Sequence, residues 1–264
     1  MAGSRRPLVN LCLHRGLSEN SSATIAETIS FKQSSDVNLD ERRVWASTGF
    51  GRYVSQEDIM QNTSHAVMAQ RREAADSPDD FPTPPWATRA LIEHVLGPED
   101  AKSFSCLEPA CGRGYMSRPL AEYFASVDSS DAYPYGFATI RDFLTSPYRR
   151  NSYDWVITNP PFRLAEEFVH QALDVARVGI AILARTVFLE SIGRYETIFQ
   201  HKPPSVFAQF SERVPMVKGR VDQKASTATG YAWFIWSKAE TPTGPRLTWI
   251  PPCRKLLERP RDYL

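Results

Sequence analysis

The sequence has 264 residues, a length that fits one α/β domain with appendages or at most two small domains. Its 31 basic and 30 acidic residues give a formal net charge of +1, so the chain as a whole lacks the basic signature of many nucleic-acid-binding proteins. A hydrophobic content of 42% with 23% charged residues argues against a wholly disordered or fibrous chain.

The chain begins with a segment, residues 1–63, that is rich in Ser, Thr and Asn and shows no sustained helical or strand period. We expect this segment to be an extended or partly disordered arm. The organised domain is predicted over residues 64–250, followed by a basic tail over residues 251–264. Within the domain, Thr83 and Pro84 supply a cap and a first-turn proline for the first helix.

Four short buried strands are predicted next, with helical patterns between several of them. They cover residues 103–110, 125–131, 153–158 and 179–184. Alternation of strands and helices predicts a parallel sheet. The aromatic-rich stretches 206–217 and 231–236 predict an antiparallel hairpin added at the edge of that sheet. The predicted fold class is therefore α/β, with a mostly parallel twisted sheet.

Charge is unevenly distributed along the chain. Residues 73–131 hold 11 acidic and 4 basic side chains, whereas residues 201–264 hold 11 basic and 5 acidic ones. These two segments form either two solvated faces or, in the C-terminal part, a surface that binds a polyanion.

The first segment that carries chemistry is Glu-Pro-Ala-Cys-Gly-Arg-Gly at residues 108–114, directly after a predicted strand. Gly112 and Gly114 permit a sharp turn and a close approach of the backbone to a ligand, and a carboxylate at Glu108 could hold a ligand amine. Taken alone, the pattern fits a generic tight turn between strand and helix as well as a nucleotide-type site.

The second segment, Asn-Pro-Pro-Phe at residues 159–162, also follows a predicted strand. Because the carboxyl ends of parallel strands line one crevice, Gly112 and Asn159 should face the same place. The two prolines fix the turn, and the Asn159 side-chain oxygen and the Pro160 carbonyl present two acceptors. Two acceptors directed at one amino group form a chemically specific arrangement.

Together these segments resemble motifs I and IV of S-adenosylmethionine-dependent amino-methyltransferases, particularly DNA N6-adenine methyltransferases of phage and prophage origin. The resemblance covers roughly residues 64–240. It implies a Rossmann-like class I methyltransferase fold, S-adenosyl-L-methionine as cofactor and DNA as partner.

The resemblance also implies roles for individual residues. The segment that begins at Phe81 resembles the motif that closes over the methionine end of the cofactor, and Asp142 lies in a segment that resembles the adenine-binding motif. Asp131 occupies the place of an acidic residue that binds ribose hydroxyls. The implied cofactor-binding residues are Phe81, Thr83, Pro84, Glu108, Pro109, Ala110, Gly112, Gly114, Asp131, Asp142, Phe143 and Asn159. As alternatives, Asp131 could be a surface turn residue and Asp142 a local cap.

The implied catalytic residues are Asn159, Pro160, Pro161 and Phe162. No carboxylate or histidine is placed to remove a proton from the exocyclic amine of adenine before attack. Hydrogen bonds from that amine to Asn159 and Pro160 would instead stabilise the positive charge that develops on the nitrogen. Phe162 would stack on the base, which a duplex substrate must flip out of its stack.

The segment between the two hairpin strands resembles the loop that lies beside the target-base pocket in the same methyltransferases. Its candidate DNA-binding residues are Arg213, Lys218, Arg220 and Lys224, which suit contacts to phosphate. A solvated basic hairpin loop is the alternative. Met216 stands where an aromatic clamp is expected, so the sequence does not identify the side chain that forms the second wall of the base pocket.

Only about a hundred residues follow the Asn-Pro-Pro-Phe segment, which leaves no room for a large target-recognition domain, so we expect short or relaxed sequence specificity. Two alternative functions remain at this point. One is methyl transfer to RNA bases or to protein glutamine, and the other is a non-catalytic nucleic-acid-binding protein with the same fold.

The spacing of cysteines and histidines gives no support for metal chemistry. The four cysteines form no CxxC pair, and the five histidines form no HExxH motif, so we expect neither a disulfide scaffold nor a metal site. The most apolar stretch, residues 178–189, is interrupted by Arg185 and is too short to cross a bilayer. We therefore expect a cytoplasmic protein without a membrane partner.

Overall fold

The computed structural model describes residues 79–239 and 244–263. The predicted arm and the domain boundary near residue 64 lie outside these ranges. In the described part, eight strands form one sheet. They are β1 (Ser105–Glu108), β2 (Ser126–Asp131), β3 (Thr139–Ile140), β4 (Tyr153–Thr158), β5 (Ala176–Arg185), β6 (Val206–Phe210), β7 (Tyr231–Ser237) and β8 (Arg246–Ile250).

The order of strands across the sheet is β3-β2-β1-β4-β5-β7-β6-β8. All pairings are parallel except those of β7 with β5 and β6, so among the described strands β7 alone runs against the others. This sheet confirms the predicted α/β class. The chain moves outward from β1 through β2 to β3 and then returns to β4 on the other side of β1. The carboxyl ends of β1 and β4 therefore lie where the strand order reverses, which is the usual place for a ligand crevice.

Short helices connect the strands. They are α1 (Pro85–Leu91), α2 (Pro98–Ala101), α3 (Ser117–Leu120), α4 (Ala165–Val175), α5 (Ile192–Arg194) and α6 (Arg254–Leu257). Turns of π-helix, Ile92–Leu96 and Tyr195–Phe199, follow α1 and α5. Turns of 3-10 helix span Phe162–Leu164, Thr186–Leu189 and Pro260–Tyr263. In the described ranges, no helix is long and apolar enough to cross a membrane.

Both faces of the central sheet are buried, which explains the nearly continuous apolar runs of its strands. Successive residues of β4 point to opposite faces, so Ile157 packs in the apolar layer of α1 and Val156 in that of α4. In β5, Leu183 and Ile182 repeat this alternation. The two layers hold the central strands between helices and thereby fix the positions of their ends.

Helix α4 follows the Asn-Pro-Pro-Phe turn and packs on one face of the sheet. Its apolar stripe consists of buried side chains at helical spacing, Phe168, Val169, Ala172 and Val175. Glu166 and Glu167 lie in its first turn, where negative charge is favourable at the amino end of a helix. The helix ends at Val175 because Ala176 is already extended, and β5 begins there.

The first helix begins one residue later than the sequence predicts. Pro84 is the extended residue before the helix and Pro85 is the first helical residue, where its missing N–H costs nothing. No side chain caps this end, and the Thr83 hydroxyl is buried without a hydrogen-bond partner. The prediction of Thr83 as the cap is therefore wrong, because Thr83 lies one position too far from the free N–H groups.

The predicted hairpin exists, but it does not form the edge of the sheet. Strands β6 and β7 pair in antiparallel fashion, β7 pairs with β5, and β8 then pairs with β6 as a parallel edge strand. Strand β6 ends at Phe210, short of the predicted Val217. Pro215 has no N–H to donate to a ladder, so a strand cannot pair regularly through this stretch.

The chain after β8 remains in contact with the domain through Arg89 of α1. The guanidinium of Arg89 is 2% exposed and makes two hydrogen bonds of 2.8 Å to the carboxylate of Asp262. It also makes hydrogen bonds of 2.9 and 3.0 Å to Glu122 and one of 2.8 Å to the Leu257 carbonyl. A buried cation is thus surrounded by five acceptor atoms, three of them from two residues after β8. The domain boundary predicted at residue 250 stays a prediction.

Replacing Asp262 with alanine should destabilise the fold by about 3 kcal/mol, because a buried cation loses one of its two carboxylate partners. Urea unfolding at neutral pH measures this change in the free energy of unfolding. Arg261→Ala is the matched control, since Arg261 also contacts Glu122, at 3.3 Å, but is 66% exposed. The control should cost less than about 1 kcal/mol. Equal losses in both variants would contradict a special role for the buried pair.

Candidate active site

A cavity of about 300 Å³ opens at the carboxyl ends of β1, β2 and β4. Eleven residues predicted from the sequence line it, namely Phe81, Thr83, Glu108, Pro109, Ala110, Gly112, Asp131, Asp142, Phe143, Asn159 and Pro161. The fold therefore brings the segments around residues 81, 108, 131, 142 and 159 to one place.

The turn after β1 is built around Gly112, whose φ of +52° lies in the left-handed region that favours glycine. The Gly112 N–H donates to Asp131 Oδ2 at 2.8 Å, and the Cys111 N–H donates to the Ser130 carbonyl at 3.0 Å. A Cβ at Gly112 would meet no atom within 4 Å. The turn is thus anchored to the end of β2 and leaves open space on the side that faces the cavity.

Asp131 ends β2 with both carboxylate oxygens directed at backbone. Oδ2 accepts from Gly112, and Oδ1 accepts from the Tyr133 N–H at 2.9 Å. Burial raises the pKa of Asp131 above its ordinary value, although these backbone donors oppose the shift. Each oxygen keeps a further lone pair, so the carboxylate can still accept hydrogen bonds from a ligand in the cavity.

Glu108, the last residue of β1, is a buried carboxyl at the back of the cavity, with 2% exposure. Ser117 donates its hydroxyl hydrogen to Glu108 Oε2, and Ser129 donates to Ser117 Oγ at 2.8 Å. Burial raises the pKa of Glu108 to about 8, with a smaller contribution from the nearby charge of Asp131. At neutral pH the group is therefore largely protonated.

Asp142 and Phe143 lie on the wall of the cavity next to β3. Asp142 Oδ1 accepts a hydrogen bond of 2.9 Å from the Leu144 N–H, which is the local cap considered as an alternative. Phe143 is 1% exposed, and its ring centroid lies 5.1 Å from those of Tyr148 and Phe168. Both residues still line the cavity, so a local structural role and contact with a ligand are compatible.

Asn159 follows β4 and lies at the rim of the cavity. Its Nδ2 donates to the Phe81 carbonyl at 2.9 Å and lies 3.9 Å from the sulfur of Met216. Its Oδ1 is buried and has no hydrogen-bond partner. Because the amide nitrogen is committed to Phe81, the oxygen is the end that remains available to a donor.

A cation lies over the ring of Phe162, and a second aromatic ring lies near it. The Arg185 guanidinium is 4.0 Å from its centroid, and the Phe81 ring is 5.4 Å away at an angle of 39°. The Phe162 N–H donates to Asp79 Oδ2 at 3.1 Å. The expected stacking ring is thus held from several sides.

Four of the predicted cofactor-binding and catalytic residues do not line the cavity: Pro84, Gly114, Pro160 and Phe162. Pro84 precedes α1, Pro160 is buried in the turn, and Phe162 lies beside the cavity, next to Arg185. A Cβ on Gly114 would lie 2.4 Å from the Phe137 ring, so this glycine allows close packing. Their proposed roles stay predictions.

Residues 79–82, which we call the strap, connect three parts of the site. Besides the contacts of Asp79 and Phe81, Asp80 Oδ2 accepts from Arg113 at 2.7 Å and the Asp80 carbonyl accepts from the Gly219 N–H at 2.8 Å. Neither Asp79 nor Asp80 was among the residues predicted for the site. Two adjacent carboxylates directly before Phe81 were the available signal for a functional role.

The candidate DNA-binding residues lie along the segment between β6 and β7. Arg213, Arg220 and Lys224 are exposed, and Lys218 is partly exposed. Arg220 pairs with Asp222 at 3.2 Å. Since Gly219 bonds to the strap, this basic segment lies next to the mouth of the cavity.

Among the described residues, no group of three or more His, Cys, Asp or Glu side chains could hold a metal ion. The described cysteines Cys106, Cys111 and Cys253 are free and buried. The cavity instead offers a glycine turn, five carboxyls, an aromatic wall and one unpartnered amide oxygen.

No protein-family model and no curated protein matches this chain, whereas several solved structures do. The methyltransferase subunit of a type I restriction-modification system from Streptococcus thermophilus has a TM-score of 0.50 at 12% identity, over 70% of this chain and 50% of that one. A modification subunit of a candidate type I restriction enzyme from Vibrio vulnificus has a TM-score of 0.47 at 15% identity, over 81% and 56%. A candidate RNA methyltransferase from Pyrococcus horikoshii has a TM-score of 0.46 at 15% identity, over 66% and 96%.

This chain spans about half the length of the two restriction-modification subunits. At identities this low, a structural likeness shows the fold alone. We base the comparison of folds on the Streptococcus thermophilus subunit, whose TM-score is 0.50. Together with the order of strands, it identifies the described domain as a Rossmann-like methyltransferase fold.

The buried carboxyl of Glu108 should make stability depend on pH. Its pKa is about 8 in the folded chain against 4.5 for an ordinary glutamate, so the folded state keeps a proton that the unfolded state releases between these values. The free energy of unfolding should therefore fall as pH rises through this window and level off above it.

Glu108→Gln removes this titrating group and should make the free energy of unfolding less dependent on pH. Urea unfolding at a series of pH values measures this dependence. Glu99→Gln, which removes an exposed carboxylate in α2, serves as control and should behave as the unmodified protein. An unchanged slope in Glu108→Gln would show that Glu108 is ionised in the folded chain.

Proposed function

We propose that this chain is an S-adenosylmethionine-dependent methyltransferase that methylates N6 of adenine in DNA. The fold supports methyl transfer, and the cavity lies at the point of the sheet where such folds bind their ligand. The finer assignment to an amine of a nucleic-acid base rests on the residues at the rim of the cavity.

The cavity fits the proposed cofactor. The open space at Gly112 admits a ligand close to the backbone, and Asp131 offers carboxylate oxygens for ribose hydroxyls. Phe143 and Asp142 form a wall suited to an adenine ring. Glu108, in the same cavity, offers a carboxyl to the amino end of the ligand. When bound, S-adenosylmethionine supplies a methyl group activated by positively charged sulfur.

The observation that carries the proposal is the buried, unpartnered Oδ1 of Asn159. A buried acceptor without a donor is costly, and only a few such groups occur in a native structure. An exocyclic amine entering beside the cavity would satisfy it. The Pro160 carbonyl, in the next peptide, would accept the second N–H of the same amine.

This arrangement explains how an amine without a general base can react. Acceptors on both N–H groups favour a nitrogen whose lone pair points towards the methyl carbon and stabilise the positive charge that develops on it. With S-adenosylmethionine bound, its sulfonium would supply the methyl group that forms the new N–C bond at adenine N6, and the electrons of the broken S–C bond would stay on sulfur. The methylated amine then loses one proton to water.

The target base would stack on Phe162, whose ring is already fixed by Arg185. The Phe81 ring lies 5.4 Å from Phe162, so the strap borders the space that a base would occupy. The exposed cations Arg213, Arg220 and Lys224 next to the cavity mouth support a polyanionic substrate. Base flipping would bring adenine from a duplex to this pocket. The breadth of sequence recognition stays an expectation.

Gly112→Ala should weaken binding of S-adenosylmethionine, because its methyl group enters the open space beside the cavity. The change should also cost about 1 kcal/mol of stability, since alanine is strained in the left-handed region. Gly136→Ala is the matched control: its φ is +78°, its Cβ would also meet nothing within 4 Å, and it does not line the cavity.

Calorimetric titration should therefore give a weaker affinity for S-adenosylmethionine in Gly112→Ala than in Gly136→Ala, although the two variants have similar stability. Equal affinity in both variants would argue against this cavity as the cofactor site.

Asn159→Ala should lower the rate of methyl transfer by at least ~100-fold, because it removes an acceptor that stabilises charge in the transition state. The assay uses methyl-labelled S-adenosylmethionine and an unmethylated plasmid, with chromatography of the digested nucleosides. Gln171→Ala, which removes an amide from the surface of α4, is the control and should retain activity.

Label in N6-methyldeoxyadenosine that disappears only in Asn159→Ala supports both the reaction and the site. Label in purified RNA or in protein glutamine, but not in DNA, would show that DNA is not the substrate and that the methyl-transfer reaction stands. Cofactor binding without transfer to any of them would favour a non-catalytic nucleic-acid-binding protein.

A further inference from the structure

Arg185 is the last residue of β5, and β5 lies beside β4, whose end leads into Asn159. Its guanidinium lies 4.0 Å from the centroid of the Phe162 ring. A cation in this position restricts the ring and covers one of its two faces. A base that stacks on Phe162 must use the other face.

The Arg185 side chain has unused hydrogen-bonding capacity. Its Nε is buried and has no partner, although the side chain bonds to the hydroxyl of Tyr231. Leaving a donor of a charged group buried and unpaired costs more than leaving a neutral one. A ligand that carries an acceptor would satisfy this donor.

A second arginine reaches the same end of the sheet. A Cβ at Gly230 would lie 3.1 Å from Thr186 Oγ1 and 3.3 Å from Arg213 Nη1, so the absent side chain makes room for Arg213 next to the residue that follows Arg185. Thr186 and Gly230 are joined by a hydrogen bond of 3.0 Å. Arg185 and Arg213 thus both lie where β5 ends and β7 begins.

The charges of these two residues are not neutralised within the described part of the chain. Other arginines have carboxylate partners there: Arg89, Arg113, Arg150, Arg177, Arg220 and Arg254. Neither Arg185 nor Arg213 forms an ion pair with a carboxylate of residues 79–239 or 244–263. Two uncompensated cations beside a base pocket attract an anion that arrives with the base.

We propose that Arg185 is a substrate-positioning residue, which fixes the Phe162 ring and binds a backbone phosphate of the nucleotide that enters the pocket, with Arg213 contacting the same backbone. This inference rests on the proposed function and adds the phosphate site to it. A guanidinium suits this task because its planar donors match the oxygens of a phosphate. A flipped nucleotide carries a phosphate on either side, so base and backbone are held together.

The inference is tested with Arg185→Gln and a matched control, Arg150→Gln. Arg150 carries the same charge but lies before the amino end of β4, at the end of the strands opposite the cavity, with 80% exposure. Affinity for a fluorescent duplex is measured by anisotropy over a series of salt concentrations. Arg185→Gln should bind about tenfold more weakly. The slope of log affinity against log salt should lose about one unit, which a purely structural role would not change.

Two further variants keep the test decisive if Arg185→Gln fails to fold. Arg213→Gln should lower the salt slope by a similar amount. Arg185→Lys keeps the charge and should keep the slope, but it loses the planar fork over Phe162. The fluorescence of 2-aminopurine at the target position should therefore report less flipped base in Arg185→Lys, with the affinity for S-adenosylmethionine unchanged.

The possible outcomes separate this inference from the proposed function. If the unmodified protein methylates DNA but Arg185→Gln and Arg213→Gln keep its salt slope, the phosphate site is overturned and the function stands. If the protein methylates RNA instead, the salt slopes of Arg185→Gln and Arg213→Gln are measured on RNA. A lower slope supports the phosphate site, and an unchanged slope overturns it. If neither nucleic acid binds in a salt-dependent way, both proposals are overturned.

Discussion

The hydrogen bond from Asn159 Nδ2 to the Phe81 carbonyl determines what the rest of the site can do. A side-chain amide has a donor end and an acceptor end, and fixing the donor decides where the acceptor points. Here the donor holds the strap, and the acceptor is left buried without a partner. One contact thus connects the segment that lines the cofactor cavity with the turn that would receive the substrate amine.

The surrounding fold makes that contact rigid. Strand β4 is buried on both faces, two prolines follow Asn159, and α4 begins a few residues later, so the turn has little freedom. On the other side, Pro84 and Pro85 lead from the strap into α1, which packs against β7 through the hydrogen bond of 3.2 Å from Trp233 to the Ala87 carbonyl. Both partners of the bond are therefore carried by elements packed in the core.

Much of this could be predicted from the sequence, because some signals are local. Strand β4 has the predicted bounds, since a run of apolar residues buried on both faces ends sharply at prolines. Edge strand β8 was missed because Leu247 and Trp249 alternate within only five residues and are exposed. Long-range contacts were also missed: nothing near Arg185 in the sequence indicates that it lies over Phe162. Thr83 was misplaced because cap assignment depends on single residues.

The bond between Arg89 and Asp262 joins residues 173 positions apart. Contacts of such sequence separation form late, because the loop that they close must first lose its freedom. During synthesis, α1 is made before Asp262, so Arg89 cannot form this pair until the later segment has also been made. Because α1 continues directly from the strap, this pair anchors the helix that follows one wall of the cavity. A chain that lacks Asp262 would thus carry every motif of the site and yet leave the buried cation of α1 without one of its two carboxylate partners.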